Sequence, residues 1–186
     1  MITGLKVVQS LPDPIGEGLA EWKRPNGLKI KKVRVPLGVI GIIYEARPNV
    51  TVDSAALCLK AGNAVILRGG TDAIKTNTEI AHVIAQAAYS AGLPEGCLQF
   101  IEDTDRSTAE ELMKAREYVA VLIPRGGKSL IQSVIKNAQI PTIETGEGVC
   151  HAFVEKSANL KMALEIVFNA KCSRPSVCNA IETLLV

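Results

Sequence analysis

Apolar residues in this sequence form short β-branched runs that alternate with stretches in which they recur at helical spacing. The first run, residues 33–43, contains Pro36, which restricts ladder hydrogen bonding early in the run. This run predicts a hairpin edge that leads into a buried strand. Residues 51–63 then predict a helix ending at Gly62-Asn63, and "AVILRGG" at 64–70 predicts a short strand that ends in two glycines.

The same alternation continues along the rest of the chain. A capping box, Ser107 with Glu110, is expected to open one of the helices. The predicted elements are a helix over about 72–91, a strand over 97–102, a helix over 106–116, a strand over 119–124, a helix over 127–138, and short strands in 140–144 and 151–155.

Strands of roughly five residues that alternate with helices of roughly 10 to 20 predict the α/β class, with an open, mostly parallel sheet and flanking helices. Ligands of such sheets bind at the carboxyl ends of the strands. That rule selects three segments, "YEARPN" at 44–49, "RGG" at 68–70 and "PRGGKS" at 124–129.

Composition narrows the function classes. The 186 residues are 47% hydrophobic, which is enough for one domain with a full core, or for one domain and the beginning of another. With 21 Lys+Arg against 19 Asp+Glu, no basic field favours nucleic acid, and no apolar run reaches the roughly 18 residues that span a membrane. Five cysteines without CxxC spacing and two histidines predict no metal site and reduced thiols in a cytoplasm.

Two glycine-containing turns are candidate phosphate sites. "RGGKS" at 125–129 resembles the end of a phosphate loop, but Leu122 stands where that motif requires glycine, which argues against an NTPase. Gly126-Gly127 at a helix N-terminus would attract an anion such as a dinucleotide phosphate, or would form an ordinary βα turn. Arg68 would pair with a phosphate monoester, or would be a solvated strand-end arginine.

Candidate nucleophiles and bases lie near the end of the sequence. Cys172 ends an apolar stripe and is expected to be buried or half-buried, whereas Cys178 follows a non-periodic stretch that predicts a loop presenting its thiol to a cleft. Position alone does not decide between a nucleophile and a packing residue. Glu144, Glu147 and His151 would supply a general acid or base, or would form a solvated turn.

The motifs together resemble a known family. "VPLGVIGIIYEARPNVTVDSAALCLKAGNAVILRGG", "AGLPEG", "IPRGGKSL", "GEGVCH" and "RPSVCNAIETLLV" are similar, in this order, to the gamma-glutamyl phosphate reductases, a branch of the aldehyde dehydrogenase superfamily. The resemblance covers essentially the whole chain. It implies a Rossmann-like cofactor domain of the aldehyde dehydrogenase type and NADPH-dependent reduction of L-glutamyl 5-phosphate to L-glutamate 5-semialdehyde in proline biosynthesis. The motif matches disfavour an acylating enzyme for a CoA ester.

The resemblance also implies roles for individual residues. Cys178 would be the nucleophile that forms a thioester, and its backbone N–H with Asn49 would bind the oxyanion. Thr145 stands where hydrolytic relatives carry a glutamate base, as expected for an enzyme that needs no activated water. The residues implied in NADP binding are Arg68, Gly69 and Gly70 near the adenosine ribose, Arg125, Gly126, Gly127, Lys128 and Ser129 beside the cofactor phosphates or nicotinamide ribose, and Glu147 in the adjoining turn.

The family's members are roughly twice as long as this chain. An internal fragment is therefore expected, with residues 1–170 as an incomplete NADP-binding domain, a hairpin-forming edge near 10–35, and residues 171–186 as the start of the catalytic domain. Isolated, such a fragment is expected to be inactive, and the alternative function is a non-catalytic NADP-binding module. The full-length protein is expected to be a homo-oligomer, with glutamate 5-kinase as a candidate partner.

Overall fold

The structure is a computed structural model that describes residues 1–144, 146 and 148–186. The chain divides into two compact units, Met1–Thr145 and Gly146–Val186. The two units are defined by the contacts between residues, which are dense within each unit and sparse between them. The sequence-based boundary between residues 170 and 171 concerns the domains of the family, and it stays a prediction.

The first unit begins with helix α1 (Ile2–Ser10) and an antiparallel pair of strands, β1 (Gly18–Lys23) and β2 (Lys29–Val33). All side chains of β1 are exposed, and an exposed ion pair joins Arg34 to Glu17 with an N–O distance of 2.6 Å. This segment therefore contributes little to the core, and the folding of the unit depends on the elements that follow.

Four parallel strands form the sheet of the first unit, and they confirm the predicted α/β class. Strand β3 is buried along nearly its whole length, as expected for a strand covered on both faces. The strands are β3 (Val39–Tyr44), β4 (Ala64–Arg68), β5 (Leu98–Phe100) and β6 (Val121–Arg125), in the spatial order β5-β4-β3-β6.

Helices cover the two faces of this sheet. Alternate residues of β3 point to opposite faces, so that Ile42 joins a core with α2 and α3 while Ile43 joins a core with α4 and α5. The helices are α2 (Pro48–Lys60), α3 (Ile74–Ser90, preceded by a 3₁₀ turn at Thr71–Ala73), α4 (Arg106–Lys114) and α5 (Lys128–Asn137). These bounds confirm the predicted helices to within a few residues.

Two local predictions are wrong. Ser107 was predicted to open α4 by forming a capping box with Glu110. The N-cap of α4 is instead Asp105, and Ser107 lies inside the helix. The start of α4 is instead fixed by the Asp103 carboxylate, which accepts hydrogen bonds from the Asp105 N–H and the Thr108 hydroxyl, and these bonds lower its pKa. The described segment 140–144 contains no strand, because its pairing is limited to one isolated bridge between Thr142 and Leu122.

The second unit is a single βαβ motif. Strands β7 (Cys150–Phe153) and β8 (Ile181–Leu185) pair in parallel, and α6 (Leu160–Cys172) connects them. The Asn159 side chain caps α6 by accepting hydrogen bonds from the Lys161 and Met162 N–H groups. No side chain of α6, all of whose residues are described, is buried. The expectation of a buried or half-buried Cys172 is therefore wrong, because one helix and two strands cannot enclose an apolar helix face.

We predict that Gly41→Ala destabilises the first unit. A Cβ at this position would lie 2.6 Å from Leu122 Cδ2 and 3.3 Å from Val119 Cγ1, two buried side chains that would have to shift within the packed core. The free energy of unfolding should fall by about 1–3 kcal/mol, measured by chemical denaturation. Gly4→Ala is the matched control, because its Cβ would meet its nearest neighbour, Asp53 Oδ1, at 3.4 Å. Equal stability of the two variants would contradict the packing argument.

Candidate active site

The sheet order creates a crevice at the carboxyl ends of β3 and β6. The chain passes from β3 to β4 and β5 on one side, then returns to β6 on the other side of β3. Ligands of open α/β sheets bind at such a switch point. Tyr44 pairs in register with Arg125, and the Glu45 N–H donates to the Arg125 carbonyl at 3.2 Å. The turns that follow β3 and β6 are thereby held side by side.

Glu45 occupies the centre of this crevice. The Gly127 N–H, at the N-cap of α5, donates to Glu45 Oε1 at 2.6 Å. A Cβ on Gly126 would lie 2.7 Å from the same oxygen, and one on Gly127 would lie 3.2 Å from it. The α5 N-terminus, expected to hold a dinucleotide phosphate or to be an ordinary turn, thus contacts a carboxylate of the protein itself.

The sequence reasoning missed Glu45 as an individual residue. The available signal was its position directly after the β-branched run of β3, within the segment 44–49 already assigned to the ligand edge. Arg125, Lys128 and Ser129 are exposed at the same edge, so the structure brings the predicted segment 125–129 next to 44–49. Their roles in cofactor binding stay predictions.

Gly69 and Gly70 allow the turn after β4 to approach the turn after β3. A Cβ on Gly69 would lie 2.8 Å from Asn77 Nδ2 and 3.3 Å from the Tyr44 hydroxyl oxygen, and one on Gly70 would lie 3.1 Å from the Ala46 nitrogen. Neither glycine has a positive φ, so the requirement is close packing and not backbone conformation. Close packing of the two turns therefore explains why glycine stands at both positions, without reference to a ligand.

A buried polar network lies beneath this edge. Tyr44 and Thr51 share a hydrogen bond of 2.5 Å, and the Thr51 hydroxyl donates to Asn77 Oδ1 at 3.3 Å. Burial raises the pKa of Tyr44, and the bond to Thr51 opposes that shift. Among the described residues, Asn77 Nδ2 has no hydrogen-bond partner although it is buried. The network ties β3, α2 and α3 together directly under Gly69.

Arg68 is held by the loop before α4. Its Nη2 donates to the Thr104 carbonyl at 2.7 Å and to the Asp105 carbonyl at 3.2 Å. Its Nε is buried and has no hydrogen-bond partner in the described part of the chain. The sequence left two alternatives for Arg68, a phosphate-binding side chain or a solvated one at the end of a strand. The structure instead shows a guanidinium that is bound to backbone carbonyls of the protein. It joins the end of β4 to the loop between β5 and α4.

A shallow cavity of about 300 Å³ adjoins these turns. Its lining combines the exposed cation Arg47 with Gly70 and two acids, Glu45 and Asp72. A cation suits phosphate, and acidic side chains suit ribose hydroxyls, so the residues present fit a nicotinamide dinucleotide. In the described residues, no three His, Cys, Asp or Glu side chains are grouped to hold a metal ion.

The predicted catalytic residues belong to different units. Asn49 lies exposed in the first turn of α2, where its Nδ2 donates weakly to Asp53 Oδ2 at 3.5 Å. Cys178 is exposed in the turn between α6 and β8, and its carbonyl accepts a hydrogen bond from Cys150 Sγ at 3.6 Å. Each geometry is described within its own unit, and the shared oxyanion role stays a prediction.

The acid and base candidates of the segment 144–151 are only partly described. The ring of His151 is exposed, and its Nδ1 lies 2.8 Å from the Val149 carbonyl. Glu144 is exposed in the first unit. Glu147 and Thr145 lie outside the described residues, so the predicted role of Glu147 at the nicotinamide and the position of Thr145 stay predictions.

The comparisons with known proteins define the class. The aldehyde dehydrogenase family matches residues 11–186 of the chain, and the chain therefore belongs to this family. Within it, the chain is 62% identical over all 186 residues to gamma-glutamyl phosphate reductase of Clostridium tetani and 61% identical to that of Heliobacterium modesticaldum. It covers 44% and 45% of these two proteins, so it spans less than half the length of the curated relatives it matches.

Solved structures agree with this assignment. The gamma-glutamyl phosphate reductase of Thermotoga maritima superimposes with a TM-score of 0.89 at 50% identity, covering 98% of this chain and 44% of that one. The enzyme of Saccharomyces cerevisiae gives a TM-score of 0.70 at 34% identity, with 98% and 45% covered. The resemblance and the fold inferred from the sequence are confirmed. No helix in the described residues is long and apolar enough to cross a membrane.

We predict that Thr51→Val destabilises the protein. The substitution keeps the shape but removes the hydroxyl that links Tyr44 to Asn77, leaving buried polar atoms without partners. The free energy of unfolding should fall by about 1–3 kcal/mol, measured by urea denaturation. Thr76→Val, at an exposed position of α3, is the matched control and should change stability by less than about 0.5 kcal/mol. A Thr51 variant as stable as this control would refute the network.

We predict that the cysteines differ in their reactivity towards an alkylating agent. Burial raises the pKa of Cys58 to about 11, so at pH 8 this thiol is protonated as well as shielded. Cys178 and Cys172 are exposed and should be alkylated first, as read by peptide mapping at a limiting dose. In denaturant all five cysteines should react, which controls for the mapping. Equal labelling of Cys58 and Cys178 in the native chain would contradict the prediction.

Proposed function

We propose that this chain provides the cofactor edge and the nucleophile for NADPH-dependent reduction of L-glutamyl 5-phosphate to L-glutamate 5-semialdehyde, with release of phosphate, in proline biosynthesis. The proposal is carried by the 62% identity to a gamma-glutamyl phosphate reductase over the whole chain. The family makes the protein an oxidoreductase with a nicotinamide cofactor and a small-molecule substrate. The choice of NADPH and of the acyl phosphate belongs to the proposal.

Cys178 is the proposed nucleophile. Its thiolate attacks the acyl carbon of the substrate, a C–S bond forms, the C–O bond to the phosphate breaks, and phosphate leaves with the electron pair. The exposed position of Cys178 in a turn supports this role, because the thiol is accessible to a substrate. When bound, NADPH supplies the hydride for the reduction. Cys178 is the leaving group when the aldehyde is released.

Asn49 and the Cys178 backbone N–H are the proposed donors for the oxyanion formed on the acyl carbon. The 3.5 Å contact to Asp53 is at the limit of a hydrogen bond, so Asn49 Nδ2 can turn to another acceptor at little cost. Because phosphate and not water receives the acyl group in the reverse direction, the site needs no general base for hydrolysis. Thr145 at the position of that base is consistent with this chemistry.

The proposed cofactor site lies at the carboxyl edge of the parallel sheet. Arg47, exposed beside Gly70, adds a cation that the sequence reasoning did not single out. The Nη2 contacts of Arg68 to backbone carbonyls fix that side chain and favour a positioning role for it at the adenosine end. The residues proposed to bind NADP are Arg68, Gly69, Gly70, Arg125, Gly126, Gly127, Lys128, Ser129 and Glu147.

The proposal extends to the longer protein that the curated relatives represent. We expect that protein to be a cytoplasmic homo-oligomer, with glutamate 5-kinase as its candidate partner. The chain covers 44% of a relative, and we propose that the substrate site of the longer protein also uses residues outside this share. The second candidate function, a non-catalytic NADP-binding module, applies to this chain by itself.

We predict weak NADPH binding and negligible turnover for the chain alone. Binding is measured by the change in NADPH fluorescence and by competition with NADP. Turnover is measured as phosphate-dependent reduction of NADP by glutamate 5-semialdehyde, with Cys178→Ala as the inactive control and Cys172→Ala as the matched control. Absence of NADPH binding at millimolar concentration would refute the cofactor assignment. A turnover of about 1 per second or more, lost in Cys178→Ala, would refute the expected inactivity but support the nucleophile.

A further inference from the structure

We propose that Cys150 and Cys178 form a modification site, in which a hydroperoxide oxidises Cys178 and Cys150 then closes a reversible disulfide. Both cysteines belong to the second unit, so their arrangement is described within one compact part of the chain. The inference goes beyond the proposed function, because it concerns the oxidation of two thiols and needs neither cofactor nor substrate. Transient, redox-sensing disulfides of this kind occur in compartments that otherwise keep thiols reduced.

The contact between the two cysteines carries the first step. The Cys150 thiol donates to the Cys178 carbonyl oxygen, with 3.6 Å between the sulfur and that oxygen. A disulfide requires that the two Cα atoms lie within roughly 7 Å of each other, a separation compatible with this contact. Cys172 is nearer to Cys178 in the sequence, but the sulfur that contacts residue 178 is that of Cys150.

Gly148 supplies a second and independent observation. A Cβ on this glycine would lie 3.3 Å from the Cys178 carbonyl oxygen and 3.9 Å from Cys150 Sγ. The backbone just before β7 therefore passes beside both cysteines at van der Waals distance. Glycine at 148 keeps a side chain out of this narrow space, so that Cys150 and the turn that carries Cys178 can approach each other.

The backbone holds the two cysteines in this relation. Cys150 pairs with Ile181 at the start of the parallel ladder between β7 and β8. Cys178 lies in the turn directly before β8, and the Ala180 N–H closes this turn by donating to the Val177 carbonyl at 3.1 Å. The ladder and the turn thus fix the position of one cysteine relative to the other.

The different exposure of the two thiols assigns their roles. Cys178 is exposed and Cys150 is half-buried, so a peroxide from solvent reaches Cys178 first. The Cys178 thiolate attacks one oxygen of hydrogen peroxide, the O–O bond breaks, and a sulfenic acid and hydroxide result. Cys150 then attacks the Cys178 sulfur, an S–S bond forms, the S–O bond breaks, and the departing hydroxide takes the Cys150 proton as water. The two sulfurs supply the two electrons that reduce the peroxide.

The disulfide has two consequences for Cys178. It protects this sulfur from further oxidation to the sulfinic acid, which a thiol does not reverse, whereas a dithiol reduces the disulfide and restores both cysteines. While the disulfide persists, Cys178 has no free thiol with which to attack an acyl carbon. The pair therefore switches the proposed nucleophile off reversibly under oxidising conditions.

Hydrogen peroxide at a stoichiometric dose tests the pair at pH 8. After the remaining thiols are alkylated, non-reducing peptide mapping should show the Cys150 peptide linked to the Cys178 peptide. Because trypsin leaves Cys172 and Cys178 together on residues 172–186, the link is assigned in Cys172→Ser, which should retain it. Treatment with dithiothreitol should remove the link and make Cys178 available to the alkylating agent again.

Cys150→Ser is the decisive variant. It should lose the link, and dimedone, which traps sulfenic acids, should label its Cys178 about fivefold more than in the unsubstituted chain. If Cys150→Ser does not fold, as judged by circular dichroism, Cys150→Ala takes its place. The proposal is overturned if Cys178 links to Cys172, if it stays unlinked at every peroxide dose, or if dimedone labels it equally in both proteins. Failure of NADPH binding or of turnover would refute the proposed function and would leave this result unchanged.

Discussion

The parallel pairing of β3 with β4 on one side and β6 on the other is the constraint on which the first unit depends. Because β3 is central, its alternate residues reach two separate cores, one with α2 and α3 and one with α4 and α5. The same pairing brings three βα turns to one edge. A change in register at β3 would exchange the two faces of the strand and separate these turns.

The residues of the proposed chemistry are divided between the two units. The first unit supplies a rigid edge with glycine turns, a buried hydroxyl network and an exposed arginine, which are properties of a binding surface. The second supplies an exposed thiol in a turn of a small βαβ motif.

Much of the fold follows from local sequence, and the exceptions have physical causes. Strands β3 to β7 and helices α2 to α5 were predicted because their periodicity is strong and several of their ends carry glycine or proline, whereas α1, α6 and β8 were not predicted as elements. Ser107 was misassigned because a capping box is only a local pattern, whereas the start of α4 is set by Asp103 before it. Cys172 was misassigned because apolar periodicity indicates a packing face without indicating whether the chain covers it.

The site was less predictable than the fold, since its contacts join residues far apart in sequence. The segments 44–49, 68–70 and 124–129 were selected from the rule for parallel sheets, but the bond between Glu45 and Gly127 spans 82 positions. The anchoring of Arg68 by Thr104 likewise spans 36. Neither partner could be named before the strand order was known.

The contact between Glu45 and Gly126 has a consequence for how sequences of this kind can diverge. Any side chain at 126 would compete for the volume that the Glu45 side chain fills, so the size of the residue at 126 is limited by the residue at 45. A larger residue at 126 requires that the Glu45 side chain move or that a shorter residue stand at 45, and a shorter residue would remove the carboxylate that the Gly127 N–H contacts. A substitution at 126 would therefore also disturb the contact by which Glu45 joins the turn after β3 to the turn after β6.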